Sequence, residues 1–160
     1  MKRILISISL LCIIGSFNYS IYQKEHVLKN GETVYLEIYP IDPRSLMQGD
    51  YVSFRYSLVK SIKDKPKNNS GLIVITVDKN HVGHFARFYN DETLKDNEKL
   101  VPYYTRFGSM TIRPDSFFFQ EGHSKFFEEA SYAMFKFNGS KDLVLFGLAN
   151  QKLKQVIVKK

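Results

Sequence analysis

The chain has 160 residues, of which 14% are aromatic, and a formal net charge of +7 at pH 7. This length fits one domain of ordinary size, and the aromatic content without any low-complexity tract excludes a disordered protein. Phe and Tyr supply all the aromatic residues, while Gly and Pro are few. The composition therefore favours β-strands over helices.

The first segment is an apolar stretch behind two basic residues. Lys2 and Arg3 precede an apolar run at 4–17, and a milder continuation to Tyr22 brings the span to about 19 residues, enough to cross a bilayer as a helix. A cleaved signal peptide and a retained anchor both fit this pattern. Cleavage after Ser16 would place the bulky Ile14 where a small residue is required, so we favour a retained anchor.

This interpretation divides the chain into a membrane anchor at 1–22, a charged spacer at 23–30 and an exported domain at 31–160. The basic residues indicate a cytoplasmic N-terminus. Cys12, the one cysteine, lies within the anchor, so the domain has no disulfide. Without Lys2 and Arg3, 21 basic residues face 16 acidic ones, a net charge of +5. Anionic headgroups or envelope polymers would suit this excess, as would a generic soluble surface, and nucleic acid is excluded as a partner outside the cytoplasm.

The exported part begins with two predicted strands separated by turns. The first strand occupies 32–40. Asp42-Pro43 and Gly49-Asp50 are turn signals, and a second strand starts at Tyr51 and runs to about Ile62. Two-residue alternation in this strand predicts a buried face and an open face. The buried face carries Val52, Phe54, Tyr56 and Leu58, and the open face carries Tyr51, Ser53, Arg55 and Ser57.

The remaining sequence predicts further short strands. They are expected at 72–77, 82–89, 100–107, 109–112, 132–137 and 143–148, with an edge strand at 155–158. Three consecutive Phe at 117–119 indicate burial on both faces. A short helix is expected at 124–130, with Phe126, Phe127 and Ala130 packed inward. We therefore predict a mainly β fold, an antiparallel β-sandwich or partly open barrel with one short helix, preceded by a transmembrane helix.

Residues 49–56, with the sequence G-D-Y-V-S-F-R-Y, carry a specific resemblance. They resemble the motif G-D-Y-x-x-L-x-Y of a family of bacterial membrane-anchored proteins of unknown function, with Phe54 in place of Leu. The similarity extends to D-P-R at 42–44, F-F-F-Q-E-G at 117–122 and F-E-E-A-S-Y-A-M-F at 127–135. In the last segment Phe127 and Ala133 stand where members often have Tyr and Gly.

The resemblance implies a compartment and a partner rather than a reaction. Family members often occur beside multi-pass membrane proteins, which implies an accessory role in the cell envelope at the bacterial inner membrane. The motif residues are interpreted as structural: Asp42, Pro43, Gly49, Asp50, Phe54, Tyr56, Gly122, Glu128 and Tyr132.

A candidate binding cleft is expected where the polar residues of these segments converge. Its residues are Arg44, Tyr51, Arg55, Gln120 and Glu121. A phenol and a guanidinium on one strand face can hold a carboxylate or a carbonyl, although such residues also commonly line a solvated face.

Three catalytic or metal-binding readings are weaker. His81 and His84 supply only two ligands where a zinc site needs at least three. Ser45 lies in a segment loosely similar to the Ser-Met…Gly-Asp region of signal peptidases, but no lysine is marked as its base. The carboxylates of Asp50, Glu121 and Glu128 are better explained as partners of arginines than as an acid–base pair. We therefore predict no metal and no cofactor.

Two functional hypotheses follow. The favoured one is a non-enzymatic envelope domain that binds a multi-pass membrane protein, and it predicts an exposed aromatic or basic patch near the anchor. The alternative is a small hydrolase or ligand-binding domain that uses the Arg, Tyr and carboxylate cluster near residues 49–56, and it predicts a concave site there.

Overall fold

The computed structural model describes residues 2–42, 51–62, 66, 68–106, 108–120, 127 and 129–156. These comprise one long helix and nine β-strands in two antiparallel sheets. The mainly β fold predicted from the sequence is confirmed. The short helix predicted at 124–130 falls largely outside the described residues.

Helix α1 comprises Lys2–Asn30, and most of its described apolar side chains are exposed. Leu11 is 72% exposed and Phe17 67% exposed. A run of apolar residues that long cannot be stable in water without a partner or a membrane. The helix is long and apolar enough to cross a membrane, as the sequence predicts. Residues 23–30, read from the sequence as a spacer, continue the same helix.

The strands follow in chain order. They are β1 (Glu32–Asp42), β2 (Tyr51–Tyr56), β3 (Ser70–Val77), β4 (Gly83–Phe88), β5 (Glu98–Arg106), β6 (Ser109–Ile112), β7 (Ser116–Phe118), β8 (Tyr132–Asn138) and β9 (Asp142–Ala149). The first sheet has the order β7-β2-β1-β8-β9 and the second the order β4-β3-β5-β6.

Strand β1 links the two sheets into a partly closed barrel. Its second half pairs with β2, from Ile38 opposite Tyr56 to Asp42 opposite Ser53. Its first half instead meets the start of β4 through a bridge between Tyr35 and Val82. The Tyr35 amide donates to the His81 carbonyl oxygen at 2.8 Å. Strand β1 of the first sheet therefore also contacts the second sheet.

The core lies between the sheets and takes alternate residues of β2 and consecutive buried residues of β3, β5, β8 and β9. Fully buried side chains come from β1, β2, β3, β5, β6, β8 and β9, and the largest of them are Tyr56, Phe54, Phe135, Phe137 and Leu36. Strand β3 lies between β4 and β5, and its run Ile73-Val74-Ile75 is fully buried, as expected for a continuous apolar segment.

The prediction that the second strand continues to Ile62 was wrong. Strand β2 ends at Tyr56, and Ser57–Ser61 forms a 3₁₀-helix. The reason lies in β1: further pairing would continue toward Tyr35, whose amide already bonds to His81 in the second sheet. The chain therefore leaves the sheet, although Leu58 still packs into the core.

The expectation that three consecutive Phe are buried on both faces was also wrong. Phe118 is 64% exposed, whereas Phe117 and Phe119 pack against the buried Phe127 at ring-centroid distances of 5.7 and 4.6 Å. Strand β7 forms the edge of its sheet. One of its faces is therefore open, and Phe118 lies on it.

Candidate functional site

Strand β2 presents the two faces that its alternation predicts. Val52, Phe54 and Tyr56 are buried, while Tyr51 is half-buried and Arg55 is exposed. Because successive side chains point to opposite sides of a strand, Tyr51 and Arg55 share the open face of the first sheet.

The buried face of β2 is fixed to the connection between β6 and β7. The Tyr56 hydroxyl donates a hydrogen bond to the Pro114 carbonyl oxygen, and the Phe54 amide donates to the Asp115 carbonyl oxygen at 3.1 Å. The Asp115 carboxylate in turn accepts from the Tyr104 hydroxyl at 2.9 Å. Burial, with a smaller effect of the Asp115 charge, raises the pKa of Tyr56 well above its usual value. The phenol is thus a neutral structural donor.

The predicted binding cleft is described only in part. Tyr51 packs against Phe118 at a centroid distance of 5.6 Å, and Arg55 lies opposite Tyr39 of β1. Tyr51 pairs with Phe118 and Ser53 with Ser116, so β7 runs away from Arg55 toward the exposed Gln120. Arg44 and Glu121 lie outside the described residues, and the convergence of all five stays a prediction.

Several predicted motif residues can also be placed. Asp42 is the last residue of β1, and Tyr132 begins β8, where its ring meets Tyr35 edge to face at 6.4 Å. Pro43, Gly49, Asp50, Gly122 and Glu128 lie outside the described residues, as does Ser45. Phe54 and Tyr56 are buried, and the structural role of the motif residues stays a prediction.

The motif and the helix meet the first sheet at opposite ends. Helix α1 enters through Gly31 at the start of β1, and residues 43–50 follow the end of the same strand. The 11 residues of β1 extend about 35 Å at roughly 3.3 Å per residue. The segment that carries the family motif therefore begins at the end of the strand remote from the helix.

Comparison with known proteins supplies a family. A family model described as "GDYXXLXY protein" matches residues 13–148. The chain belongs to this family. Searches of the curated proteins and of the solved structures return no match. The family match covers α1 from Ile13 onward and the strands as far as Leu148.

A cleft of about 630 Å³ opens near the end of β1 that is remote from α1. It is lined by Ile38, Tyr39, Glu129, Ala130, Ser131, Asn150, Gln151 and Lys152. Lys60 lies over the Tyr39 ring at 3.9 Å from its centroid. The Asn150 side chain accepts hydrogen bonds from the amides of Lys152 and Lys154 at 3.0 and 3.2 Å, which fixes the loop after β9. The size is typical of small-ligand sites.

Sequence reasoning did not find this cleft. Its residues come from three separated segments, and each segment reads alone as a strand end or a polar turn. The one local signal is Asn150, because Asn often fixes the backbone of a turn through its side chain. The convergence of Tyr39, Glu129 and Lys152 depends on the pairing of β1, β8 and β9, which the sequence does not state.

A second, smaller cleft lies where α1 meets the first sheet. It measures about 140 Å³ and is lined by Tyr22, Gln23, Lys24, His26, Val27, Asn138 and Asp142. Neither of these two clefts includes Tyr51, Arg55 or Gln120.

A buried lysine connects the elements at the helix end of the barrel. Lys99 is only 8% exposed, and its Nζ lies 2.9 Å from Glu32 Oε2 and 3.2 Å from the Gly139 carbonyl oxygen. Glu32 also lies 3.6 Å from His81 Nδ1. Because a buried ammonium needs partners, this group is explained by its structural contacts.

The two histidines considered as metal ligands face different carboxylates. His81 lies beside Glu32, and His84 Nε2 lies 3.1 Å from Asp78 Oδ2. Asp78 also accepts hydrogen bonds from the amides of Asn80 and Val82, which lower the pKa of its carboxyl, the Val82 bond most strongly. Within the described ranges, no three His, Cys, Asp or Glu side chains form a group that could hold a metal ion.

Proposed function

We propose that the protein is a single-pass, non-enzymatic module of the cell envelope that accompanies a multi-pass membrane protein. In this proposal α1 is a retained anchor in the bacterial inner membrane, its N-terminus is cytoplasmic, and the β-domain is exported. The observation that carries the proposal is the exposure of α1, whose large apolar side chains from Ile6 to Tyr22 are each more than half exposed.

The contacts between α1 and the barrel support a β-domain that is held in one position relative to the helix. Val27 is 4% exposed, and the Gly31 amide donates to its carbonyl oxygen at 2.8 Å. Lys136 Nζ donates to the Gly31 carbonyl oxygen at 3.0 Å. A helix that merely tethered a domain would need no such contacts, whereas a module that must hold a set position beside a membrane protein would.

One face of α1 supports a helical partner within the bilayer. Leu11, Gly15, Asn18 and Tyr22 follow one another at intervals of three or four residues, which places them on one side of the helix. A Cβ added to Gly15 would meet nothing within 4 Å. Small residues let helices approach closely in a bilayer. The Asn18 side chain donates to the Ile14 carbonyl oxygen of its own helix at 2.8 Å, and its amide oxygen can accept a hydrogen bond from a second helix.

Site-specific photo-crosslinking in cells tests the partner. A photoreactive amino acid at position 11 lies on the Gly15–Asn18 face, and one at position 13 lies on the opposite side of the helix as the matched control. We expect the first to crosslink to a multi-pass membrane protein and the second to lipid. Equal products at both positions, or a dimer of this chain alone, would contradict the proposal.

Labelling of a single cysteine tests the topology. With Cys12 replaced by Ser, Asn80→Cys places a thiol on an exposed turn between β3 and β4. A membrane-impermeant maleimide should label it from outside the inner membrane, and the protein should stay in the membrane during alkaline carbonate extraction. Release of the protein would contradict the proposed anchoring. Labelling only after the inner membrane is opened would contradict the proposed orientation.

A further inference from the structure

The cleft between α1 and the β8–β9 hairpin lies at the depth of lipid headgroups if α1 spans the membrane as proposed above. The hydrocarbon core is about 30 Å thick and each headgroup layer adds roughly 5–7 Å. A span that ends near Tyr22 places Val27 about 7.5 Å further along the helix, at about 1.5 Å per residue. The cleft is lined by residues from Tyr22 to Val27, so it occupies the headgroup layer.

The walls of this cleft carry both signs of charge. Lys24 and His26 of α1 supply an ammonium and an imidazole, and Tyr22 supplies a phenol. On the opposite wall, Asp142 and Asn138, which pair with each other at the start of β9 and the end of β8, supply a carboxylate and an amide. An ammonium can bind a phosphate, while a carboxylate disfavours a second negative charge nearby and attracts an ammonium.

We propose that this cleft binds the zwitterionic phosphoethanolamine headgroup of a membrane phospholipid. The phosphate contacts Lys24, and the primary ammonium donates to the Asp142 carboxylate. The lipid tails continue along the exposed apolar surface of α1 below Tyr22. This inference rests on the proposed membrane anchoring, and it assigns the contact that holds the barrel against the membrane surface.

The position of Val27 gives independent support for a built site. Val27 is buried although its helical neighbour Leu28 is 38% exposed, so the hairpin packs on one side of the helix at this level. Gly31 fixes the same junction, because a Cβ there would lie 2.4 Å from the Val27 carbonyl oxygen. The two walls of the cleft are thus held by the fold.

Lipid titration of the full-length protein in detergent, read by native mass spectrometry, tests the proposal. We expect one phosphatidylethanolamine per chain, bound more tightly than phosphatidylglycerol, which lacks the ammonium. Phosphatidylcholine carries the same phosphate but has no N–H donor, so it should also bind more weakly. An excess of inorganic phosphate should fail to displace the lipid.

Charge-matched variants separate the cleft from the general surface charge. Lys24→Gln should weaken phosphatidylethanolamine binding about tenfold, the usual effect of losing one charged hydrogen bond. Lys29 is on the same helix and does not line the cleft. Lys29→Gln removes the same charge, so it should leave binding unchanged. Asp142→Asn should abolish the preference for phosphatidylethanolamine over phosphatidylglycerol.

Three results would overturn the assignment. Equal losses in Lys24→Gln and Lys29→Gln would show a diffuse charge effect, equal binding of phosphatidylcholine would remove the role of the ammonium, and displacement by inorganic phosphate would indicate a phosphate site unrelated to lipid. The titration uses purified protein and requires no partner. Its failure is therefore distinguishable from a failure of the crosslinking and extraction experiments.

Discussion

The hydroxyl of Tyr56 donates a hydrogen bond to the carbonyl oxygen of Pro114, which ties the last residue of the family motif to the connection between β6 and β7. Tyr56 is 1% exposed, and its ring contacts those of Phe54 and Phe135 at centroid distances of 5.5 and 6.3 Å. Strands β2 and β6 belong to different sheets. The final Tyr of the motif therefore helps to close the barrel.

Replacement of Tyr56 by Phe should destabilise the fold without altering its shape. The change keeps the ring but leaves the Pro114 carbonyl oxygen without its donor, and an unpaired polar group in such a site costs about 1–3 kcal/mol. Denaturant unfolding of the detergent-solubilised protein measures this loss. Tyr132→Phe, on a ring that is half-buried at the sheet surface, is the control and should change the unfolding free energy by less than about 0.5 kcal/mol. Equal effects would show that the Pro114 bond contributes nothing.

The same tyrosine should make the protein sensitive to alkali. Burial raises the pKa of Tyr56 in the fold, whereas in the unfolded chain the phenol ionises near its ordinary value of about 10. Above pH 10 the unfolded state therefore releases a proton that the fold retains, so stability is complete below pH 10 and is lost as the pH rises toward the raised value. The unfolding free energy of the wild type should fall more steeply between pH 9 and 11 than that of Tyr56→Phe. Parallel pH curves would contradict this assignment.

Sequence reasoning found the strands because burial follows local alternation. The strands expected at 72–77, 132–137 and 143–148 and the two faces of β2 were all predicted and are confirmed. Each of these signals lies within a few residues of the element it predicts. The span of α1 was found for the same reason, since length and hydropathy are local properties.

The errors arose where a distant segment decides the outcome. The end of β2 at Tyr56 depends on the bridge between Tyr35 and Val82, and the exposure of Phe118 depends on β7 being an edge strand. The cleft beside Tyr39 likewise requires three strand ends to meet. The local sequence of each segment contains no signal for these long-range contacts, so single-sequence patterns could not predict them.

Replacement of Phe54 by Leu, the usual residue of the family motif, should be tolerated. Phe54 is 1% exposed and meets Tyr56 edge to face, so Leu loses part of the ring contact but keeps an apolar core residue of similar reach. We expect a loss of less than about 1.5 kcal/mol, against about 3–5 kcal/mol for Phe54→Ala, which leaves a cavity. Thermal unfolding of the two variants measures the difference. If Leu were as costly as Ala, the packing around position 54 in this chain would have to be specific to Phe.

The ion pair of Arg87 and Glu98 should make the protein sensitive to acid. Arg87 donates to both Glu98 oxygens at 2.6 and 3.1 Å, and the Lys95 amide donates to one of them at 3.1 Å. These bonds, those from Arg87 first, lower the pKa of Glu98 to about 2, while the unfolded chain binds the same proton near pH 4.3. The contribution of Glu98 is therefore present above pH 4.3 and is lost as the pH falls to about 2.

Acid unfolding of Glu98→Gln measures that contribution. The variant should be less stable than the wild type at pH 7, because Arg87 loses a charged partner. The unfolding free energies of the two proteins should converge between pH 4 and 2. Glu129→Gln removes an exposed carboxylate. Its unfolding free energy should fall below pH 4 as steeply as that of the wild type. A wild-type curve that stays flat below pH 4 would refute the role assigned to the pair.

Replacement of Gly31 by Ala should loosen the junction between α1 and the barrel. An added Cβ would lie 2.4 Å from the Val27 carbonyl oxygen and 2.9 Å from that of Phe137. Both contacts are with backbone atoms, so a side-chain rotation cannot relieve them and the helix must shift away from β8. Overpacking of this kind costs about 1–3 kcal/mol. Gly15→Ala is the matched control, since its Cβ meets nothing within 4 Å. Limited proteolysis of the detergent-solubilised protein should cut residues 23–31 faster in Gly31→Ala than in Gly15→Ala. Equal rates would mean that the close approach at Gly31 does not fix the helix on the sheet.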